Sequence, residues 1–213
     1  MNQKDTTVVI CCAGMGKRLG IGTPKALLNI EGKPLIIRQL ELLDDYDDVR
    51  IVVGYKAEDV IKIVLSYRKD VMFVFNYKFE STSMLDSLKK AALKPRKYIL
   101  EIDGDILINR EDMKKILEYP SECIGCAKLH SCEPICVNVD HGRVTGFSQG
   151  KGDYEWTGLA KLLSTRPLGN EEFMYLALES QLPIDCMEIR ARDIDTQDDY
   201  IDAMKWYKDG CRQ

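Results

Sequence analysis

Apolar, β-branched runs of strand length recur along the first half of the chain, at Thr7 to Cys12, Val49 to Gly54, Val71 to Asn76 and Tyr98 to Ile102. Each is followed by a segment whose apolar residues fall three and four apart, the spacing of a helix with one buried face. Lys33 to Leu43 carries Pro34 near its first turn, where a missing amide hydrogen costs nothing. Glu58 to Tyr67 and Ser83 to Leu93 repeat the helical spacing. Alternation of this kind predicts a largely parallel sheet covered on both faces.

The pattern changes after Asp112. Pro134 to Asp140 and Arg143 to Phe147 read as a hairpin turning at Asp140 to Gly142. A strand at Glu155 to Leu163, a helix at Glu171 to Glu179, a strand at Asp185 to Ile189 and a helix at Gln197 to Tyr207 complete the chain. No linker, repeat or low-complexity segment divides it. The expectation is one α/β domain over residues 1–213: a Rossmann-like, mostly parallel central sheet flanked by helices, with an antiparallel insertion.

Composition narrows the class. With 213 residues and 45% apolar content, the chain can bury a substantial core, which excludes disorder for most of its length. Thirty Lys and Arg against 34 Asp and Glu give a formal charge of −4. They are spread without long like-charge blocks, so the footprint of a dedicated nucleic-acid binder is missing. No apolar run reaches the ~18 to 20 residues that span a bilayer, and the start turns glycine-rich too soon for a signal peptide. The expectation is a soluble, cytoplasmic protein with no nucleic-acid or membrane partner, whose small anionic ligand is held by a local basic site.

Of the eight cysteines, Cys123 and Cys126 followed by Cys132 and Cys136 resemble a four-thiolate zinc pattern. The gap between the pairs is far shorter than the ~15 to 20 residues of zinc ribbons. Scattered buried thiols are the expectation.

The chemistry concentrates in three places. After the first strand comes Ala13-Gly14-Met15-Gly16-Lys17-Arg18-Leu19-Gly20, then Pro24-Lys25. Glycines let a backbone approach a phosphate and turn its N–H groups inward. A dinucleotide fingerprint would need glycine at Leu19 and a P-loop would need one at Cys11, so neither standard loop is present. Three glycines in a β-to-α turn are often only a turn. Arg18 and Lys25 change the balance, because a triphosphate needs cationic donors as well as amides. Second, Asp103-Gly104-Asp105 ends the fourth strand, where ligands of open α/β sheets gather. Residues two apart share a strand face, and magnesium takes one or two carboxylates plus phosphate oxygens. Third, Asp193-Ile194-Asp195-Thr196 precedes the last helix, where Asp195 or Thr196 could equally be its cap.

In this order the three motifs resemble the nucleotidyltransferases of the GT-A-like fold, over nearly the whole chain. That family includes sugar-1-phosphate pyrophosphorylases, the molybdenum-cofactor guanylyltransferase and several cytidylyltransferases. The resemblance implies a nucleotide-binding half, about residues 1–112, and an acceptor-binding half, about 113–213. It implies that Ala13 to Arg18 wraps the triphosphate, that Lys25 contacts phosphate, and that Asp105 and Asp195 hold magnesium. Arg18 and Lys25 are the expected catalytic residues, with Asp103 among the nucleotide contacts.

The closest branch is the phosphocholine type. Phe75-Asn76-Tyr77-Lys78-Phe79, then Ser81-Thr82-Ser83 and Ser87-Leu88, are similar to the segment with which that branch reads cytosine, which makes Asn76, Ser83 and Ser87 candidate base contacts. Asparagines are frequent there where this chain has Ser83 and Met84. Tyr154-Glu155-Trp156 stands where the family builds its acceptor wall, and an aromatic beside a carboxylate suits a cationic head group. Trp156 packed in a core, with Glu155 facing water, is the other reading. The implied reaction is magnesium-dependent transfer of a nucleotidyl group, CMP from CTP or its counterpart from another NTP, to a small phosphate or phosphonate acceptor. Sugar-1-phosphate, alditol-phosphate and cofactor nucleotidyltransferases are the enzyme alternatives, and a non-catalytic nucleotide sensor is the alternative of another class. Oligomeric state stays open, a homodimer included.

Overall fold

A computed structural model describes residues 5–131 and 133–210. The first strand, β1 (Thr6–Cys12), leads through the glycine loop to one tight helical turn at Lys25–Leu27, a short hairpin of β2 (Asn29–Ile30) and β3 (Lys33–Pro34), and α1 (Leu35–Leu40). The alternation continues with β4 (Val49–Val53), α2 (Ala57–Tyr67), β5 (Met72–Phe75), α3 (Met84–Ala91) and β6 (Tyr98–Asp103). These are the four expected strands and three expected helices, with α1 shorter than its apolar pattern at both ends: Pro34 pairs in β3 instead of entering the helix, and after Leu40 the chain tightens into turns in which Leu42 N donates to Gln39 O and Leu43 N to Leu40 O.

Three elements then appear for which the sequence reading gave no bounds: β7 (Ile106–Ile108), α4 (Arg110–Glu118), the helix that follows the fourth strand, and β8 (Cys123–Ala127). The helix α4 buries only Met113 and Ile116 among its apolar residues, too few for a visible stripe. Its start was nevertheless marked, since the Asn109 side chain accepts from the amides of Glu111 at 3.1 Å and Asp112 at 3.3 Å. The strand β8 accounts for the zinc-like spacing. Cys123 and Cys126 are three apart on a strand, so they point to opposite faces and enter different core clusters. Cys136 is buried on the next strand, and Cys132 lies outside the described residues.

The hairpin forms as β9 (Ile135–Asp140) and β10 (Arg143–Gln149), and its turn residues His141 and Gly142 both have positive φ, 47° and 76°. Two consecutive left-handed residues match the twist of the flanking strands. The chain ends with β11 (Tyr154–Leu163), α5 (Met174–Glu179), β12 (Ile184–Glu188), β13 (Ala191–Asp193) and α6 (Gln197–Asp209).

One nine-stranded sheet, in the order β5-β4-β1-β6-β11-β8-β12-β10-β9, runs through both halves. Its first four strands are parallel, and β11 turns antiparallel against β6. An extra pairing of β9 with Tyr154 and Glu155 of β11 curls the far strands back on themselves. Strand alternation divides the core: Val8, Ile10, Leu100 and Ile102 pack under α1, α2 and α4, while Val9, Val52, Ile99 and Ala160 pack under α3 and α5. Outside the main sheet, β13 pairs antiparallel with β7. That small pairing decides where the site forms.

Candidate active site

The loop after β1 runs over the carboxyl ends of the parallel strands. Gly16, at φ +58°, lies against the Lys25 side chain, and a Cβ there would sit 3.0 Å from Lys25 Cγ. The glycine thus lets Lys25 fold back beneath the loop, with its side chain 13% exposed. Lys25 Nζ donates to Asp105 Oδ2 at 2.8 Å and also to Asp195 Oδ1. Arg18, from the outer side of the loop, donates to the same Asp195 oxygen at 2.7 Å.

Both carboxylates owe their positions to the β7–β13 pairing. Asp105 immediately precedes β7, and Ile194 N donates to Asp105 O at 3.2 Å, which brings the segment after β13 alongside. Asp193 faces Ile106 in the ladder. The result is a cluster of Asp105, Asp193 and Asp195, with one carboxylate oxygen from each within 4.8 Å of the others. The cap ambiguity at the last helix resolves here: Thr196 caps α6 in a reciprocal box with Asp199, which frees the Asp195 carboxylate for the cluster.

Electrostatics inside the cluster are strongly coupled. Burial opposes charge on Lys25, but the two aspartates outweigh it and hold its pKa well above the ordinary lysine value. Burial, and then the charges of Asp105 and Asp195, push Asp193 well above the carboxylate range. Asp103 is pushed the same way by burial, Glu101 and Asp105. Its seat is made by Gly158 on the neighbouring strand: at φ +67°, a Cβ there would fall 2.0 Å from Asp103 Oδ2.

A cavity of about 370 Å³ opens in front of these groups. Ala13, Gly14 and Arg18 line it from the loop, Asn76, Ser83 and Ser87 from the β5–α3 connection, Asp103, Asp105, Asp193 and Asp195 from its base, and Trp156 from the far strands. A smaller space of about 230 Å³ continues under the loop between Gly16, Lys17, Arg18 and Lys25. Met15 is half-buried in the loop and lines neither space.

The polar residues of the β5–α3 connection are largely engaged with one another. Asn76 is buried and donates to Thr82 Oγ1 at 2.8 Å and Ser87 Oγ at 3.0 Å, while its own carbonyl accepts from Lys78 N at 3.2 Å. Ser83 caps α3 in a box with Asp86. They border the cavity as a braced wall.

On β11, the three expected acceptor residues go to different surroundings. Trp156 reaches the cavity, edge-on to Phe147 at 5.7 Å. Glu155 points the other way, is 4% exposed, pairs with His130 and accepts from the amides of His130 and Ser131, each at 3.1 Å. The Tyr154 hydroxyl lies 3.4 Å from Glu188, also away from the cavity. Alternation turns Glu155 from the face of Trp156, and Tyr154, on the same face as Trp156, directs its hydroxyl to Glu188 outside the cavity, so of the expected Tyr154, Glu155 and Trp156 wall only Trp156 lines the cavity.

With this geometry in hand, the family model described as IspD, 2-C-methyl-D-erythritol 4-phosphate cytidylyltransferase, matches residues 6–146. The chain belongs to this cytidylyltransferase family. A choline-phosphate cytidylyltransferase of Streptococcus pneumoniae is 32% identical over 50% of this chain and 49% of its own length. A bifunctional protein GlmU of Helicobacter pylori is 28% identical over 60% of this chain and 30% of its own, so the chain spans under a third of that relative. In fold it is similar to the CTP:phosphocholine cytidylyltransferase of Streptococcus pneumoniae, with TM-score 0.79 at 19% identity, covering 95% of this chain and 99% of that one. The inositol-1-phosphate CTP transferase of T. maritima superposes at TM-score 0.78 and 16% identity, covering 98% of each chain.

Asp193, Phe173, Met174 and Tyr175 are among the cavity-lining residues that the sequence motifs did not assign to the site. Asp193 was visible two residues before Asp195, but without β13 nothing showed that both turn inward. Phe173, Met174 and Tyr175 reach the cavity from the start of α5, where their apolar character reads as ordinary helix packing. No helix among the described residues is long and apolar enough to cross a membrane.

Proposed function

We propose that this chain is a CTP-dependent cytidylyltransferase acting on a small acceptor that bears a phosphate or phosphonate and a cationic or apolar head. The reading rests chiefly on the single cavity that joins the glycine loop and Arg18, the Asn76–Ser87 wall, three carboxylates and Trp156. Its ends differ in chemistry: cations and amides at the loop, aromatic surface at Trp156, Phe173 and Tyr175. A nucleotide laid between them presents its polyphosphate to Arg18, Lys17 and Lys25 and its base to the braced wall. The acceptor head then rests against the aromatic end, where a ring face attracts a quaternary or primary ammonium.

The acceptor oxygen attacks the α-phosphorus in line, its bond to phosphorus forms as the bond to the bridging oxygen breaks, and pyrophosphate leaves. The chain's part is positioning and charge neutralisation. Lys25 and Arg18 offset the negative charge that builds on the departing pyrophosphate. Three clustered carboxylates are a hard-oxygen donor set that fits a divalent ion such as magnesium, and Asp105, Asp193 and Asp195 would hold it. When bound, the ion supplies charge neutralisation at phosphate oxygens.

The test is incubation with each NTP, magnesium and a panel of phosphocholine, aminoethylphosphonate, alditol-phosphate and hexose-1-phosphate acceptors, with pyrophosphate measured. CTP with an amine-bearing acceptor is expected to turn over fastest. Pyrophosphate release only with a hexose-1-phosphate would overturn the acceptor assignment, and none with any pair would overturn the enzymatic reading.

A further inference from the structure

Gln39 stands on α1 among Ile36, Ile37 and Leu40, and like them it is buried. A carboxamide taken out of water costs free energy unless it is hydrogen-bonded, so packing alone would favour Leu or Met at this position. The amide nitrogen has two hydrogens and two acceptors: Gln39 Nε2 donates to Asp103 O at 2.8 Å and to Ile106 O at 2.9 Å. Gln39 Oε1 meets no donor among the described residues, so this grip is the polar role of the side chain.

The two acceptors are the last residue of β6 and the first of β7. The first strand belongs to the nine-stranded sheet and the second to the small pair with β13. One side chain therefore ties the main sheet to the pairing that brings Asp193 and Asp195 to Asp105. Between the gripped carbonyls lie only Gly104 and Asp105. Gly104 N donates to Cys11 O at 3.0 Å, and a Cβ on Gly104 would fall 2.7 Å from that oxygen, so the turn lies close against β1. From this turn Asp105 reaches Lys25 at 2.8 Å. Held at both ends and pressed on β1, the backbone fixes the direction in which the Asp105 carboxylate leaves it.

We propose that Gln39 is a positioning residue for nucleotidyl transfer, setting the Asp105 carboxylate against Lys25. Gln39 lines neither space of the active site, so it acts through the turn and not on a substrate. This role rests on the transfer reading above.

Gln39→Met keeps the length of the side chain and removes both donors. Gln39→Asn keeps the amide but is one methylene too short to span both carbonyls. Ile37→Ala removes apolar contacts from the same helix and no hydrogen bond to the turn. The three are compared with wild type by circular dichroism, thermal melting and steady-state kinetics, on the NTP and acceptor pair that wild type turns over fastest. Both Gln39 variants should lower kcat about tenfold or more and keep both Michaelis constants within about twofold, since a displacement of about 1 Å can cost a hundredfold in rate. Ile37→Ala should lower the melting temperature and keep the wild-type kcat. In a Lys25→Ala background, Gln39→Met should cost less than about threefold further, because the contact it serves is already gone. The positioning role is overturned, with the transfer reading intact, by wild-type kcat in a folded Gln39 variant, by an equal fall in Ile37→Ala, or by Gln39→Met and Lys25→Ala effects that multiply. Failure of both Gln39 variants to fold would make the residue structural and overturn it equally. No turnover by wild type with any pair would instead overturn the transfer reading, and the Gln39 role with it.

Discussion

Lys25 Nζ lies 2.8 Å from Asp105 Oδ2, bridging from the glycine loop to the carboxylate at the end of the fourth parallel strand. The same ammonium reaches Asp195, 170 residues away in sequence. A cation is thus already seated among the carboxylates that a divalent ion would share. Lys25→Ala should lower turnover by about a hundredfold or more, the usual cost of losing a charge-stabilising donor, with melting temperature little changed. Pyrophosphate release checks it, and wild-type rates in a folded Lys25→Ala protein would reduce the loop to a turn.

Asp105→Asn and Asp195→Asn should each abolish turnover by removing an anionic oxygen beside a polyphosphate. Asp193→Asn is expected to retain activity but to need a higher magnesium concentration for half-maximal rate. A magnesium titration identical to wild type would exclude Asp193 from the ion's surroundings.

Trp156 and Glu155 should part company in experiment as they do in the strand. Trp156→Ala should raise the Michaelis constant for the amine acceptor and leave that for CTP nearly unchanged, since cation–π attraction of about 0.5 to 2 kcal/mol is lost from one substrate only. Glu155→Gln should leave both constants alone and lower the melting temperature instead. Two-substrate kinetics beside thermal melting checks both, and an acceptor effect confined to Glu155→Gln would reverse the assignment.

The His130–Glu155 pair makes a pH-dependent contribution to stability. Burial works to raise the Glu155 pKa, but His130 and the two amides outweigh it, so the carboxyl lies below its ordinary value. Burial works to lower His130, and Glu155 outweighs that in turn, so the imidazole lies above its ordinary value. The carboxylate's contribution is present above about pH 4.5 and lost as pH falls through its lowered value, while the imidazolium's is present below about pH 6.5 and lost as pH rises through its raised one. His130→Gln should therefore lower the melting temperature most between those limits and progressively less at alkaline pH. A difference that does not vary with pH would mean the pair is not ionic.

Gly158→Ala should cost at least about 1 to 3 kcal/mol, because φ is +67° there and the new methyl would displace Asp103. Chemical denaturation measures the loss, and a wild-type midpoint would show that the Asp103 seat tolerates a side chain.

The parallel half of the sheet, the glycine loop with its cations Arg18 and Lys25, and the carboxylate pair Asp103 and Asp105 were legible from the amino-acid order alone, while the roles expected of Asp105 and Asp195 came from the family resemblance. Their signals are local: alternating periods of two and 3.6, turn glycines, and carboxylates two apart at a strand end. What the order did not reveal depends on pairings between distant segments. Ile106–Ile108 and Ala191–Asp193 are three-residue strands with too few positions to show a period, yet their pairing brings Asp193 and Asp195 to Asp105. The direction of Glu155 followed from the face of β11 that meets the cavity, which a run of three residues does not declare. Cys123 and Cys126 looked like metal ligands by spacing, and only their membership of a strand sends them to opposite faces. The residue types that suit phosphate and metal chemistry are thus written in the sequence, while their convergence is a property of the tertiary fold, because side-chain direction is set by the partner a backbone pairs with.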